Sequence, residues 1–207
     1  MKVEKYVVGI IGTNCYLIIN EDTKETVIVD PGGYPEELKR EIKEKGLDIQ
    51  AVILTHAHFD HIMGLNDVMK DYPVPVYIEE HDKEMLTDDN ANLSGGYMNG
   101  GFKFTDVKTV ADGQVLELAG FRFQVIHTPG HTPGGCCYYV EEEGVLFSGD
   151  TLFQASVGRT DFPGGSASDL VRSIKEKLLI LPEETHVYPG HMEETTIGYE
   201  KLYNPFV

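Results

Sequence analysis

Four times in this chain an apolar run stops at residues able to ligate a metal. Ala51–Leu54 leads into Thr55-His56-Ala57-His58-Phe59-Asp60-His61, and Phe121–Ile126 leads into His127-Thr-Pro-Gly-His131. Val145–Phe147 leads into Ser148-Gly149-Asp150, and His186–Tyr188 into Pro189-Gly190-His191. Each unit reads as a buried strand, then small or turn-forming residues, then a potential ligand. Glycine and proline at those junctions allow sharp turns and close backbone approach. A strand end holds a side chain rigidly yet leaves it open to solvent, so the repeated design asks for strands whose ends converge.

The rest of the chain fits around those strands. Val3–Ile10 and Asn14–Ile19 read as a strand pair, and Thr26–Val29 as a strand stopped by Asp30-Pro31-Gly32-Gly33. Helical spacing predicts a helix over Tyr34–Lys45, ended by Gly46, and another over Ile62–Lys70. Val74–Ile78, Val107–Val110, Gln114–Leu118 and Cys136–Val140 are further strands. Ser166-Ala-Ser-Asp169 resembles a capping box opening a helix to about Leu179, and a terminal helix follows Glu194. The Asn-, Gly- and Asp-rich segment Asp88–Gly101 reads as a loop over a site, with Tyr97 and Phe102 as candidate substrate contacts. The order of elements predicts two packed sheets with helices outside, an α/β four-layer αββα sandwich formed as one domain over residues 1–207.

Three histidines and an aspartate fall within six residues at His56–His61. Alternation along an extended chain puts His56 and His58 on one side, and the following turn swings Asp60 and His61 to another. With His131, Asp150 and His191 the inventory reaches seven ligands, enough for two cations if one carboxylate and one water bridge them. Imidazole and carboxylate suit zinc first, with iron or manganese as alternatives.

The order H-x-H-x-D-H, then H, D and H, resembles the metallo-β-lactamase fold superfamily. Within it the chain is similar to the short single-domain bacterial members of the glyoxalase II group. Asn14-Cys15-Tyr16, Asp30–Gly33, Thr55–His61, His127–Gly134, Ser148–Thr151, Gly158–Gly165, Tyr188–His191 and Asn204-Pro205-Phe206 carry the resemblance. It implies the metallo-β-lactamase fold, with His56, His58 and His131 on a first metal, Asp60, His61 and His191 on a second, and Asp150 bridging. It implies hydrolysis of a thioester, an acylglutathione such as a 2-hydroxyacylglutathione, by a metal-bridging hydroxide that Asp60 orients as a catalytic residue. One departure is Met192-Glu193-Glu194 after His191, where family members often have Gly-Pro. The nearest rival within the superfamily is a persulfide dioxygenase with one iron on His56, His131 and Asp150. Lactone or phosphodiester hydrolysis and a non-catalytic metal-binding module are the remaining alternatives.

Composition narrows the partners. Lys+Arg is 17 and Asp+Glu is 34, a formal charge of −17. Such a surface repels phosphate backbones and anionic lipid, so no nucleic-acid or membrane partner is expected. An anionic small substrate then needs a local cation, and Arg159 in its glycine-bounded turn is the candidate, with an ion pair to Asp161 as the competing role. Three cysteines, two of them adjacent, make no disulfide framework, and no leader or membrane span is evident; a cytoplasmic hydrolase, monomeric or weakly oligomeric, is expected. Cys15 reads as a packed thiol, and at least one of Cys136 and Cys137 as buried. His81 reads as a surface or helix-start residue, His127 as a packing histidine or one that supports a ligand, and His186 as structural.

Overall fold

The computed structural model describes residues 1–207. The first half builds one sheet from β1 (Lys2–Val8), β2 (Thr13–Ile19), β3 (Glu25–Val29), β4 (Asp48–Ile53), β5 (Val76–Glu79) and β6 (Lys108–Val110). Helix α1 (Glu36–Glu44) connects β3 to β4, while α2 (Phe59–Ile62) and α3 (Leu65–Asp71) connect β4 to β5. Strands β1 to β6 lie in sequence order, antiparallel through β3 and parallel from β3 to β6. The second sheet contains β7 (Val115–Leu118), β8 (Phe121–His127), β9 (Cys136–Val140), β10 (Val145–Gly149), β13 (His186–Pro189) and β14 (Thr195–Thr196). Its order is β14-β13-β10-β9-β8-β7, with β10 and β13 parallel. A two-stranded ribbon, β11 (Leu152–Phe153) with β12 (Ser156–Val157), lies outside both sheets. Helices α4 (Ala167–Ser173) and α5 (Ile197–Tyr203) complete the chain. No helix is long and apolar enough to cross a membrane.

Side-chain alternation makes the layers. In β2, Cys15, Leu17 and Ile19 join Leu38, Ile42, Leu65 and Val68 of the helices on one outer face. Tyr16 and Ile18 face the other way, into the inter-sheet core with Phe123, Tyr138 and Phe147. Strand β9 repeats the device: Cys136 and Tyr138 turn inward, whereas Cys137 and Tyr139 pack with Leu170, Ile174 and Ile197 on the second outer face. Three apolar layers separate four layers of structure, so the αββα sandwich is present as expected. Each central strand is buried on both faces, which is why these runs are continuous rather than alternating in polarity.

Several boundaries differ from the sequence reading. The helix expected over Ile62–Lys70 is two pieces, because the Gly64 N–H donates to the Pro31 carbonyl (2.8 Å) instead of continuing the helical ladder. A Cβ on Gly64 would lie 2.5 Å from the Gly33 carbonyl carbon, so only glycine permits this approach. The helix opened by Ser166, whose hydroxyl does accept from the Asp169 N–H, is α-helical only to Ser173. It then widens to a π-turn over Ile174–Leu178, with Leu179 N bonded to Ile174 O (2.9 Å). Strand β1 stops at Val8 rather than Ile10, since Gly9 and Gly12 take positive φ and turn the chain. Phe102 is buried in the helix-side core and does not face a site; Tyr97 does, stacked on Phe59 at 4.2 Å between ring centroids.

Candidate metal centre

The junctions after β4, β8, β10 and β13 come together at one end of the sandwich, across the seam between the sheets. The ligand atoms of His56, His58 and His131 lie within 4.8 Å of one another, as do those of Asp60, His61 and His191. Asp150 stands between the sets. Its Oδ1 is 3.3 Å from His61 Nε2, and its Oδ2 is 3.5 Å from His131 Nε2 and 3.6 Å from His191 Nε2. All seven residues singled out as ligands therefore converge, from both halves of the chain.

The imidazoles are oriented from behind. His61 Nδ1 donates to Asp30 Oδ2 (2.9 Å), His131 Nδ1 to the Arg159 carbonyl (2.7 Å) and His191 Nδ1 to the Gly12 carbonyl (3.3 Å). A carbonyl only accepts, so His131 and His191 carry a proton on Nδ1 and turn Nε2 to the centre, where His131 Nε2 lies 2.8 Å from His58 Nδ1. The Thr55 hydroxyl donates to Asp30 Oδ2 (2.6 Å) and lies 3.1 Å from His56 Nδ1, which leaves His56 Nε2 facing inward. Thr13 Oγ1 donates to Asp60 Oδ2 (3.0 Å), and His191 Nε2 contacts the same oxygen at 3.1 Å.

What these groups lack identifies their purpose. Six buried side-chain polar atoms in the chain have no hydrogen-bond partner, and four of them are His56 Nε2, His58 Nε2, His61 Nε2 and Asp150 Oδ1. Buried lone pairs without partners are costly, and a native structure concentrates them only where something else satisfies them. Nitrogens of His56 and His61, with His58 Nδ1 2.8 Å from His131 Nε2 and Asp150 Oδ1 3.3 Å from His61 Nε2, make a donor set that suits a divalent cation.

The charges tell the same story. Burial, reinforced by the neighbouring imidazoles, keeps His56 well below the usual histidine range and lowers His58 to about 3. For His61, burial opposes protonation, yet Asp60, Asp150 and Asp30 outweigh it and hold its pKa well above normal. His191 is likewise raised, by Asp60 and Asp150 against burial. Burial alone would raise the Asp150 carboxyl; His61, His131 and His191 reverse this and keep it ionised. Protons on His61 and His191 thus stand in for positive charge that a cation would supply.

Two carboxylates not read as site residues from the sequence hold this arrangement. Asp30, buried and at φ +47°, accepts from Thr55 N (2.8 Å), the Thr55 hydroxyl and His61. It ends the apolar strand β3 before Pro-Gly-Gly, the same junction pattern as the ligands, so the signal was present. Asp82 accepts from Ala57 N (3.1 Å), Thr132 Oγ1 (2.8 Å) and Gly134 N (2.5 Å), tying the His56–His61 loop to the His127–His131 loop. Burial raises its pKa to about 6 against those hydrogen bonds. Nothing in Glu79-Glu80-His81-Asp82 distinguishes it from a surface acid.

In front of the cluster is a cavity of about 470 Å³. Its titratable lining outside the seven consists of Arg159 and Tyr97. The Arg159 guanidinium lies 4.2 Å from the Phe162 ring centroid and pairs with Asp161 through Nε (3.0 Å) and Nη2 (2.7 Å). Arg159 thus lines the cavity and makes the Asp161 ion pair, its competing role. The other histidines are engaged elsewhere: His81 bonds Glu79 (3.0 Å), His127 Nε2 donates to Pro133 O (2.8 Å) and His186 pairs with Glu194 (2.8 Å). All three cysteines are buried, and burial pushes their thiols up, Cys137 to about 11, so none is a nucleophile.

A two-sheet sandwich with a His/Asp centre at the sheet ends defines a class of metal-dependent enzymes. Residues 8–191 match the family model described as "Metallo-beta-lactamase superfamily", and the chain belongs to this superfamily of metallo-hydrolases. It is 43% identical over its whole length, and 98% of the relative's, to the probable metallo-hydrolase YqgX of Bacillus subtilis. It is 38% identical, with the same coverage, to the hydroxyacylglutathione hydrolase GloC of Haemophilus influenzae. Among solved structures, the BLEG-1 B3 metallo-β-lactamase superposes with a TM-score of 0.92 at 43% identity, covering 99% of both chains. The di-iron-bound form of TTHA1623 does so with a TM-score of 0.86 at 36% identity, covering 99% of this chain and 100% of the other.

Proposed function

We propose that the chain binds two divalent cations and hydrolyses a thioester whose thiol half carries a carboxylate, with acylglutathiones as the substrate class. His56, His58 and His131 would hold one cation, Asp60, His61 and His191 the other, and Asp150 both. Zinc is our first choice and iron, as in the di-iron relative, or manganese the alternative. Cations there would supply Lewis acidity and bring a water's pKa near neutrality.

The observation that carries the reading is the cavity's lack of a spare acid. Apart from the seven candidate ligands, no carboxyl or imidazole lines the cavity; its other ionisable side chains are Arg159 and Tyr97. Cleaving an amide needs a proton delivered to the leaving nitrogen, whereas a thiolate departs as a tolerable anion without one. Asp60, fixed through Oδ2 by Thr13 and His191, orients the attacking hydroxide. Arg159 receives the carboxylate of the thiol half in exchange for Asp161. Phe59, Tyr97 and Phe162 wall the reacting carbonyl from bulk water. Hydroxide adds to the carbonyl carbon, the C–S bond breaks with its electron pair on sulfur, and the carboxylic acid and thiolate leave, the acid's proton passing to the thiolate or to water. The full-length likeness to GloC supports the acylglutathione class.

The test is elemental analysis of purified protein together with thiol release from acylglutathiones, a chromogenic cephalosporin as second substrate and oxygen uptake with glutathione persulfide as a third. We expect two metals per chain and thiol release. Cephalosporin turnover without thioester turnover, or oxygen uptake with one iron, would overturn the reading.

A further inference from the structure

We infer that the acyl half of the substrate is an aliphatic chain seated on Met192 and Ile11, with Met192 as a specificity-determining residue. This rests on the thioester reading and adds the identity of the acyl class.

The cavity has two unlike ends. Beside His58 lie Phe162, with ring centroids 5.3 Å apart, and the Arg159 guanidinium stacked on it. Beside His191 are three apolar side chains. Phe153 is 6.2 Å from the His191 ring, Met192 follows it in the chain, and Ile11 precedes Gly12, whose carbonyl contacts His191 Nδ1. All three line the cavity. A carbonyl held between these ends would have one substituent beside a cation and the other in an uncharged apolar setting.

Met192 and Ile11 are 56% and 50% exposed, large apolar surfaces held at the mouth rather than folded into the core. Met192 also has φ +68°, a left-handed conformation that disfavours a side chain. Its surroundings enforce it. Asn14 Nδ2 donates to both the Pro189 and Met192 carbonyls (3.0 Å each), and Asn14 N donates to the Gly190 carbonyl (2.7 Å). A glycine there would adopt the same backbone without strain. A strained residue whose exposed apolar side chain borders the reacting centre marks a functional use of that side chain. Only an apolar group on the ligand gains from covering it, since water already wets it at no penalty to a polar one.

The experiment measures kcat/KM for acetyl-, butanoyl- and hexanoylglutathione with the metal-loaded full chain, its Met192→Gly and Met192→Leu variants, and their Tm. In the unaltered protein kcat/KM should rise about twofold per methylene, the increment of a half-covered chain. Met192→Gly should flatten that slope below about 1.3-fold per methylene, and Met192→Leu should keep it. Met192→Gly should also raise Tm by about 2–4 °C through loss of backbone strain, whereas a merely packed side chain would lower it on removal. A flat series in the unaltered protein, an unchanged slope in Met192→Gly, or a fall in its Tm overturns the inference. If no thioester is cleaved, the parent reading has failed. Calorimetry of hexanoate against acetate then decides the apolar seat alone, and equal affinities refute it.

Discussion

Replacing Asp30 by asparagine changes one atom and should disable half of the metal centre. Asparagine tolerates the φ of +47° at least as well as aspartate, so the backbone is undisturbed. The carboxylate serves three donors: Thr55 N and Thr55 Oγ1 at 2.8 and 2.6 Å, and His61 Nδ1 at 2.9 Å. An amide has one acceptor oxygen for the two positions. If its oxygen faces Thr55 Oγ1 and His61, its NH₂ meets the Thr55 N–H. If it faces Thr55 N, the NH₂ meets His61 Nδ1 and drives the ring proton to Nε2, where the lone pair is needed for a metal. Either way a charge-assisted hydrogen bond is lost, about 1.5–3 kcal/mol. That corresponds to roughly 10–100-fold weaker metal binding at the site containing His61. Chelator competition monitored by elemental analysis reads this directly, with melting temperature recorded with and without added metal. The metal-dependent part of Tm should shrink in Asp30→Asn. Two tightly held metals per chain and an unchanged metal-dependent Tm would refute the assignment of Asp30 as the group that sets the His61 tautomer.

Arg159→Ala should raise KM for acylglutathiones more than it lowers kcat, because the contact is remote from the reacting carbonyl; equal loss on a neutral thioester would make Arg159 structural. Loading metal at neutral pH should release protons, since His61 and His191 carry them at pKa values raised by the surrounding carboxylates and must lose them to ligate. Metal affinity therefore falls as pH falls below those raised values, and calorimetry in buffers of different ionisation enthalpy should show the release; no buffer dependence would contradict it. Gly190→Ala should abolish metal loading with little loss of secondary structure by circular dichroism, because its Cβ would collide with Asp150 Oδ1 and lie 2.7 Å from His61 Cε1. Full occupancy in that variant would mean the centre can relax far more than its packing suggests.

How much of this was legible beforehand depended on whether the information was local. The seven candidate ligands were, because each follows an apolar run, and burial of both strand faces writes that run into the sequence. Asp30 follows the same rule yet reads as an ordinary turn, since Asp-Pro-Gly-Gly explains itself without a metal. Asp82 was invisible: its partners, Ala57, Thr132 and Gly134, are up to 52 residues away, and it sits among the exposed polar residues Glu80, His81 and Lys83. The break between α2 and α3 was equally hidden, because the acceptor that interrupts the ladder is Pro31, in another loop. Phe102 looked like a site residue beside glycines and is instead a core plug, a distinction set by the layer that its loop returns to. Met192 could be noticed as a departure from Gly-Pro, but its left-handed backbone required Asn14 to be placed against it.

The position of the centre across the seam has a consequence for the life of the molecule. His56, His58, Asp60 and His61 hang from the first sheet, and His131, Asp150 and His191 from the second, so the two halves of the chain share a common clasp. A cation gripped by both is a cross-link whose strength follows free metal concentration, worth about 4 kcal/mol when that concentration is a thousandfold above Kd. That is a large share of what keeps a domain folded. Metal scarcity would then act on the amount of protein before it acts on the turnover of each copy, as unclasped halves open to proteases. Mildly damaging substitutions in the inter-sheet core, around Tyr16, Phe123 and Tyr138, would be tolerated in metal-replete cells and exposed in starved ones.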